Sequence, residues 1–405
     1  MSDDPRQFLL RAFDTALAAV RGDPAVARAL RESPPARPVH LLAMGKAAMA
    51  MTHGACEVLG EQVRDGLVVT KHGYGGPLPA GLRLLEADHP VPDADSLAAG
   101  RAVLQAVDAL PEDAELLVLI SGGASALVEV LPPGMTLDDL QRLNQWLLAS
   151  GLSIHQMNRI RQAVSCIKGG RLAARLGNRP ARVLLISDVT GDDPALIASG
   201  PFHAPPDTAL PTELPLPIRA LLDRFAQPFP PVPRMPHRII ASNRLARAAV
   251  VDAVHGVAVF DHGETLIGEA ARMGEQIVAE LARAEPGLHL WGGETTVTLP
   301  PSPGRGGRNQ HLALAAAIAM AGRDDIRLLA AGTDGSDGPT SDAGALVDGG
   351  TVRRGERAGL SASDCLARAD AGTFLEASGD LISTGPTGTN VMDLVLALKG
   401  PLAGV

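Results

Sequence analysis

The stretch Leu116–Leu127, LLVLISGGASAL, decides how this chain is read. Five apolar residues, Leu116 to Ile120, run directly into Ser121-Gly122-Gly123-Ala124-Ser125. A short apolar run closed by turn residues predicts a strand buried on both faces, the habit of a parallel sheet. Glycines at the end of such a strand let backbone N–H groups approach a ligand. Open α/β sheets bind ligands just beyond their strands' carboxyl ends. Ser121 to Ser125 are therefore a candidate anion cradle, and the plain alternative is a tight strand-to-helix turn that holds nothing.

The pattern recurs on both sides. Helical spacing of Leu9, Phe13, Ala16, Leu17 and Val20 predicts a first helix over 6–20. Val39–Met44 reads as a strand, Gly45 as its turn, and Lys46 as a cation beside the following helix start. Further strands are expected at 67–70, 82–87 and 182–186, with helices at 95–109, 136–149 and 154–176. The last of these, with Arg159, Arg161, Lys168 and Arg171, reads as a solvated basic face. The strand at 182–186 ends in Ser187-Asp188-Val189-Thr190-Gly191-Asp192-Asp193-Pro194, which puts carboxylates where catalytic groups of α/β folds gather. Asp192 and Asp193 before Pro194 also read as helix caps, and Asp188 does not.

Proline crowds residues 201–236, and a domain boundary is expected at its end, dividing the chain into 1–236 and 237–405. The second half alternates again. Strands are expected at 237–241, 257–260, 289–291 and 326–331, with a Thr-Val-Thr strand at 296–298. Helices are expected at 244–255, 266–284 and 310–320. Arg305 and Arg308 stand among glycines just before the last helix, a setting that suits anions. Asp334, Asp337 and Asp342 follow in a loop whose spacing is not that of an EF-hand. They read as Asx turns or as metal or hydroxyl contacts.

Composition narrows the classes. A chain of 405 residues exceeds one hydrophobic core, so two α/β domains are expected. A formal charge of −9 argues against nucleic-acid binding while leaving room for local anion sites. Three distant cysteines form no disulfide or metal framework, the start of the chain lacks signal-peptide character, and no apolar run is long enough for a membrane span. A cytoplasmic protein is expected. There is no Walker A spacing, no G-x-G-x-x-G with a downstream acid, and no histidine pair with metal-ligand spacing. Gly123-Ala124-Ser125-Ala126-Leu127 misses the last glycine of a G-x-S-x-G nucleophile elbow, which leaves a serine hydrolase using Ser125 as a remote alternative. Glycine loops, isolated cations and isolated aspartates at strand ends are the set that phosphoryl transfer requires.

The segments GKAAMAM, EADHPVPDADS, LVLISGGASAL, NRIRQAVSCIKGGRLA, SDVTGDDPALIASGP, GGETTVTL, GRGGRNQ, AGTDGSDGPTSDAGA and TGPTGTNVMDL follow one another from about residue 40 to 397. Together they resemble the class II glycerate 2-kinases, whose C-terminal half is called MOFRL. The resemblance implies a Rossmann-like parallel-sheet N-terminal domain, a second α/β domain, and an active site in the cleft between them. It implies transfer of phosphate from ATP to D-glycerate with Mg²⁺ or another divalent cation, the 2-phospho product, and a monomer or homodimer. By motif, Lys46, Asp188 and Arg308 are the expected catalytic residues. Lys46, Arg308 and Asn309 would contact substrate, Ser121, Gly122, Gly123, Ala124, Ser125 and Lys168 the nucleotide phosphates, and Asp188 and Asp193 the metal. Two positions depart from the pattern: His311 stands where an acid is expected, and Tyr74 where a histidine often occurs. The family has also been labelled hydroxypyruvate reductase, so an NAD(P)H-dependent reductase is the main rival and a hydroxyacid sensor a further one.

Overall fold

The computed structural model describes residues 4–205, 209–211 and 213–400. The chain folds as two compact units, one formed by Gly22–Ala241 and the other by the opening helix together with the residues from Ser242 onward. The opening helix, α1 (Pro5–Val20), is capped by Asp4 and buries Leu9, Phe13, Leu17 and Val20.

The first unit is built on β1 (Val39–Met44), β2 (Val63–Lys71), β3 (Leu82–Ala87), β4 (Glu115–Ile120), β5 (Ala181–Ile186) and β6 (His237–Ala241). The order is β3-β2-β1-β4-β5-β6 and every neighbouring pair is parallel. That is the doubly wound order, which reverses between β1 and β4. All six residues of β4 are buried, as expected for a central strand between β1 and β5. The helices of this unit are α2 (Gly22–Glu32), α3 (Ala48–Leu59), α4 (Ala94–Asp108), α5 (Ala124–Leu127), α6 (Leu137–Ala149), α7 (Ile154–Ala163), α8 (Arg171–Leu176) and α9 (Leu216–Phe225). The Thr136–Asp139 capping box forms: the Thr136 hydroxyl accepts from Asp139 N at 3.1 Å and the Asp139 carboxylate from Thr136 N at 3.0 Å. Leu, Val, Ile and Ala from β1, β2, β4, β5, α4 and α8 fill the main core. Leu140, Leu143, Ile160, Ile218 and Phe225 close a smaller one between α6, α7 and α9.

The expected single helix over 154–176 is two. Gly169 and Gly170 adopt φ of +60° and +79°, and a side chain at either would collide with Phe229 or Val232. The boundary at 236 is also corrected. β6 pairs with β5 in the first sheet, and α1 packs with elements beyond Ser242, so the chain leaves the second unit after α1 and returns to it after β6.

The second unit contains α10 (Asn243–Ala253), β7 (Val259–Leu266), α11 (Ala270–Leu281), β8 (Gly287–Gly293), α12 (Arg308–Ala319), β9 (Ile326–Gly332), β10 (Gly344–Asp348), α13 (Thr351–Arg357), α14 (Ala362–Ala367), α15 (Ala371–Ser378), β11 (Leu381–Ile382) and β12 (Asp393–Lys399). Its sheet runs β11-β10-β9-β12-β8-β7, with only β7–β8 parallel. Thr296 makes an isolated bridge to Glu269 in place of the expected Thr-Val-Thr strand. Helix α12 is buried along nine of its residues, against α11 and the sheet. Among the described residues, no helix is long and apolar enough to cross a membrane.

Candidate active site

In the first unit the strand order reverses between β1 and β4, and the loops that leave these two strands interlock. Lys46 N donates to Gly122 O at 2.9 Å, Ala47 N to the Ser121 hydroxyl at 3.0 Å, and Ser121 N to Met44 O at 3.0 Å. Gly45 has φ of +123°, and a Cβ there would lie 2.3 Å from Ser121 Oγ and 2.4 Å from Ser121 O. Only glycine allows this approach. Gly123 has φ of +86°, and a Cβ on it would lie 3.2 Å from both Lys46 Cγ and the His89 ring. The stem of Lys46 and the ring of His89 therefore flank the glycine loop. Lys46 is half-buried, as is Asp188, two residues beyond β5 in the strand next to β4.

Ser121 is tied to Met44, but the amide groups of Gly122, Gly123, Ala124 and Ser125 donate to no acceptor among the described residues. Backbone N–H groups are obligatory donors, so four successive undirected ones are open to acceptor oxygens. The helix that follows, α5, is a single turn, so the donors rather than a long helix dipole make this site.

The β4 and β5 loops are joined by side chains. The Ser125 and Ser199 hydroxyls lie 2.9 Å apart, and the Ser199 hydroxyl donates to Asn158 Oδ1 at 2.7 Å. The β5 loop carries three non-glycine residues in left-handed backbone: Asp192 (φ 56°), Ala198 (φ 53°) and Ser199 (φ 59°). Such residues cost about 1–3 kcal/mol each and persist where the surroundings over-determine them. Here the Gln162 amide donates to Ala195 O and Ser199 O, while Gly169 N and Gly170 N donate to Ser199 O and Gly200 O. Among the described residues Ser125 bonds to the Ser199 hydroxyl and to no base, which leaves the elbow chemistry without its activating partner.

Two expected residues have internal partners. Lys168 is buried, and its ammonium is bonded to the buried carboxylate of Glu129. Glu129 also accepts from the Ser165 hydroxyl at 2.6 Å and Val130 N at 2.9 Å. Burial pushes the Lys168 pKa down, opposed by Glu129. Arg161, another of the supposedly solvated cations, donates from Nε to Asn144 at 3.1 Å, and Arg171 donates to the carbonyls of Gln162, Lys168 and Gln227. Asp193 spends one carboxylate oxygen on Ala195 N at 2.9 Å, the cap role that its place before Pro194 also suggested. Among the described residues, three metal-capable groups come together at His72, Asp93 and Asp95, a set that includes neither Asp188 nor Asp193.

In the second unit Arg308 opens α12. Its guanidinium is bidentate to Asp393, at 2.5 and 3.0 Å, and its third contact is Glu294 at 2.7 Å. Three of its five N–H groups are used and the side chain remains 33% exposed, so donors are left over. Sequence reading missed both partners. They come from GGETTVTL and TGPTGTNVMDL, motifs that carried no charge assignment. The anion expected at the start of α12 is internal: Asp337 accepts from Asn309 N at 3.1 Å and Gln310 N at 2.8 Å. Burial lifts its pKa to about 7, against the lowering effect of those two amides. Arg305 is likewise committed, to Asp342 and Glu376, and Asp334 caps Ser336 in an Asx turn. His311, where an acid was expected, is buried, and its Nδ1 has no hydrogen-bond partner among the described residues.

Several known proteins resemble this chain over most of its length. Residues 8–213 match the family described as a domain of unknown function, DUF4147, and residues 287–393 match the MOFRL family. A D-glycerate 2-kinase from Thermotoga maritima is 36% identical, covering 89% of this chain and 90% of that protein. A protein from Agrobacterium vitis provisionally named hydroxypyruvate reductase is 39% identical, over 98% of this chain and 94% of its own length. The crystal structure of a glycerate kinase from Thermotoga maritima superposes with a TM-score of 0.84 at 34% identity, covering 97% of this chain and 99% of that one. On sequence and on fold alike, the chain belongs to the glycerate 2-kinase family with a MOFRL segment.

Proposed function

We propose that this protein transfers the γ-phosphoryl group of ATP to a hydroxyl of D-glycerate, giving 2-phosphoglycerate and ADP. The observation that carries the proposal is the run of four undirected amides, Gly122 to Ser125, beside Lys46 at the point where the strand order reverses. Amides in that arrangement bind phosphate oxygens and need no reorganisation as charge develops on them. Lys46, whose stem lies against Gly123, offsets the charge of the transferring group. Asp188, just beyond β5, accepts the proton of the attacking glycerate hydroxyl as its oxygen bonds to phosphorus and the bond to the ADP oxygen breaks. Divalent cations of the magnesium type take oxygen ligands, and a half-buried carboxylate at a strand end, together with phosphate oxygens, fits that preference. When bound, such a cation would neutralise phosphate charge, with Asp188 as its ligand in this unit. Arg308, held by Asp393 and Glu294, is the second unit's candidate for contact with a substrate anion, whereas Asn309 beside it is buried with its side-chain amide donating to Asp337 at 3.3 Å.

The assay is direct. ADP formation with D-glycerate, ATP and Mg²⁺, with phosphorus NMR of the product, should give 2-phosphoglycerate. NADH consumption with hydroxypyruvate in the absence of ADP formation would instead establish a reductase. Asp188→Asn is expected to lower kcat/KM by about 100-fold or more, the usual worth of a positioned base. A loss of only a few-fold would remove Asp188 from the chemistry.

A further inference from the structure

The opposite end of the first sheet holds a second feature. A cavity of about 610 Å³ opens at the amino ends of β4, β5 and β6, where Glu115, Ala181 and His237 line it. Six-residue parallel strands separate this end from Lys46 by about 20 Å. The volume is that of an ordinary small-molecule site. Its lining carries five arginines, Arg37, Arg179, Arg182, Arg234 and Arg238, against a single carboxylate, Glu115. In a chain of formal charge −9, that concentration of one sign in one concavity is a local field, not a reflection of composition.

The five divide by what their guanidinium groups already touch. Arg179 is spent on the carbonyls that end α4 and α8: Val107 and Leu110 on one side, Arg175 and Leu176 on the other. Arg182 is held by Glu115 at 3.2 Å and by Ser33. These two form a fixed, charged wall. Arg37 uses one donor, on Asp113 O at 2.7 Å, and Arg238 pairs with Glu32 at 2.5 Å. Arg234 is exposed and has no hydrogen bond or ion pair among the described residues. Arg37, Arg234 and Arg238 therefore keep fork-shaped donors turned to neither backbone nor a buried acid. Met235 and Pro236 supply an apolar flank beside them.

We propose that this cavity is a binding site for a phosphate-bearing metabolite, separate from the candidate active site, with Arg37, Arg234 and Arg238 as its movable phosphate ligands. The shared chemistry is a phosphate or diphosphate group. A nucleotide would add contacts of its base to the Met235 flank, whereas a small phosphorylated acid would not.

Calorimetric titration of the full chain tests this without relying on catalysis. Inorganic pyrophosphate and ATP are each titrated at low salt into the Lys46→Ala protein and into the same protein with Arg37→Ala and Arg234→Ala added. Both arginines are exposed, so folding should be retained, and Arg234→Glu alone serves as a second variant. Removing two charge-assisted contacts should weaken binding about tenfold or more. Equal weakening of both ligands identifies a phosphate site, and selective weakening of ATP identifies a nucleotide site. Unchanged affinity of both ligands in the arginine variants, or no binding to the Lys46→Ala protein below about 1 mM, a weak limit on the affinity scale, overturns the proposal.

Discussion

Replacing Lys168 with methionine separates a phosphate ligand from a structural cation. The side chains of Lys168 and Glu129 are 4% and 1% exposed, and Glu129 divides its carboxylate between the ammonium on one oxygen and Ser165 and Val130 on the other. Methionine keeps most of the volume and deletes the charge, which leaves one carboxylate oxygen buried without its cation. Breaking a buried pair in this way costs about 3–5 kcal/mol, against a total of about 5–15 kcal/mol for a typical domain. Adding Glu129→Gln removes the orphaned charge while keeping an acceptor for Ser165, and should restore about half or more of the loss. The chain has two tryptophans, Trp146 on α6 and Trp291 on β8, one in each unit. Urea unfolding followed by Trp146 fluorescence in a Trp291→Phe background therefore reports the unit that holds the pair. KM for ATP should stay within about twofold, since no uniform binding contact is removed. An unchanged urea midpoint with a KM for ATP raised tenfold would refute the reasoning and return Lys168 to the nucleotide.

Two other perturbations follow from the geometry. Gly45→Ala places a Cβ within 2.4 Å of two Ser121 oxygens at a φ of +123°, and it should destabilise the first unit by about 2–5 kcal/mol in denaturant titrations. A loss under about 0.5 kcal/mol would mean that the β1 and β4 loops are not interlocked as described. Asp337, with a folded pKa of about 7 against 3.8 for the free group, holds a proton that the unfolded chain releases. Its contribution to stability is full below about pH 4 and is lost as pH rises towards 7. Asp337→Asn cannot titrate, so its urea midpoint should fall less than that of the unaltered protein between those pH values. Parallel decline in both would show that the proton is not there.

Much of the first sheet was legible because its strands are buried on both faces and write themselves as apolar runs: LLVLI, VHLLAM and RVLLI each mark a strand. The second sheet was harder. β10, Gly344–Asp348, is a short segment emerging from a glycine-aspartate loop, and its antiparallel pairing with β9 leaves no local mark. The break between α7 and α8 depended on two glycines in left-handed backbone, and helical periodicity alone runs straight through it. In the candidate site, Lys46, Ser121 to Ser125 and Asp188 were singled out because each follows an apolar run, and the structure places each just beyond a strand end. What escaped notice were long-range partners: Glu129 for Lys168, 39 residues away, and Asp393 for Arg308, 85 residues away. Charge pairing at such separations is set by topology, and one sequence contains no trace of it. His89 escaped for a similar reason, since its place against Gly123 depends on how β3 and β4 lie in the sheet.

The position of α1 has a consequence for how the protein is made. Phe13, Leu17 and Val20 bury themselves in the second unit, where α1 packs on α10 and β12 and Arg6 donates to Leu346 O at 3.0 Å. α1 thus leaves the ribosome long before the neighbours it packs on. At roughly 5–20 residues per second, α10 follows α1 by roughly 12–46 seconds, and β12 comes later still. Throughout that interval an apolar helix face has no native partner while the unit between completes itself. A nascent chain arranged this way is a natural client for chaperones that shield exposed helices. A fragment cut at residue 236 would carry the same unmatched face permanently, whereas a circular permutant that joins α1 directly ahead of α10 would shorten the wait to almost nothing.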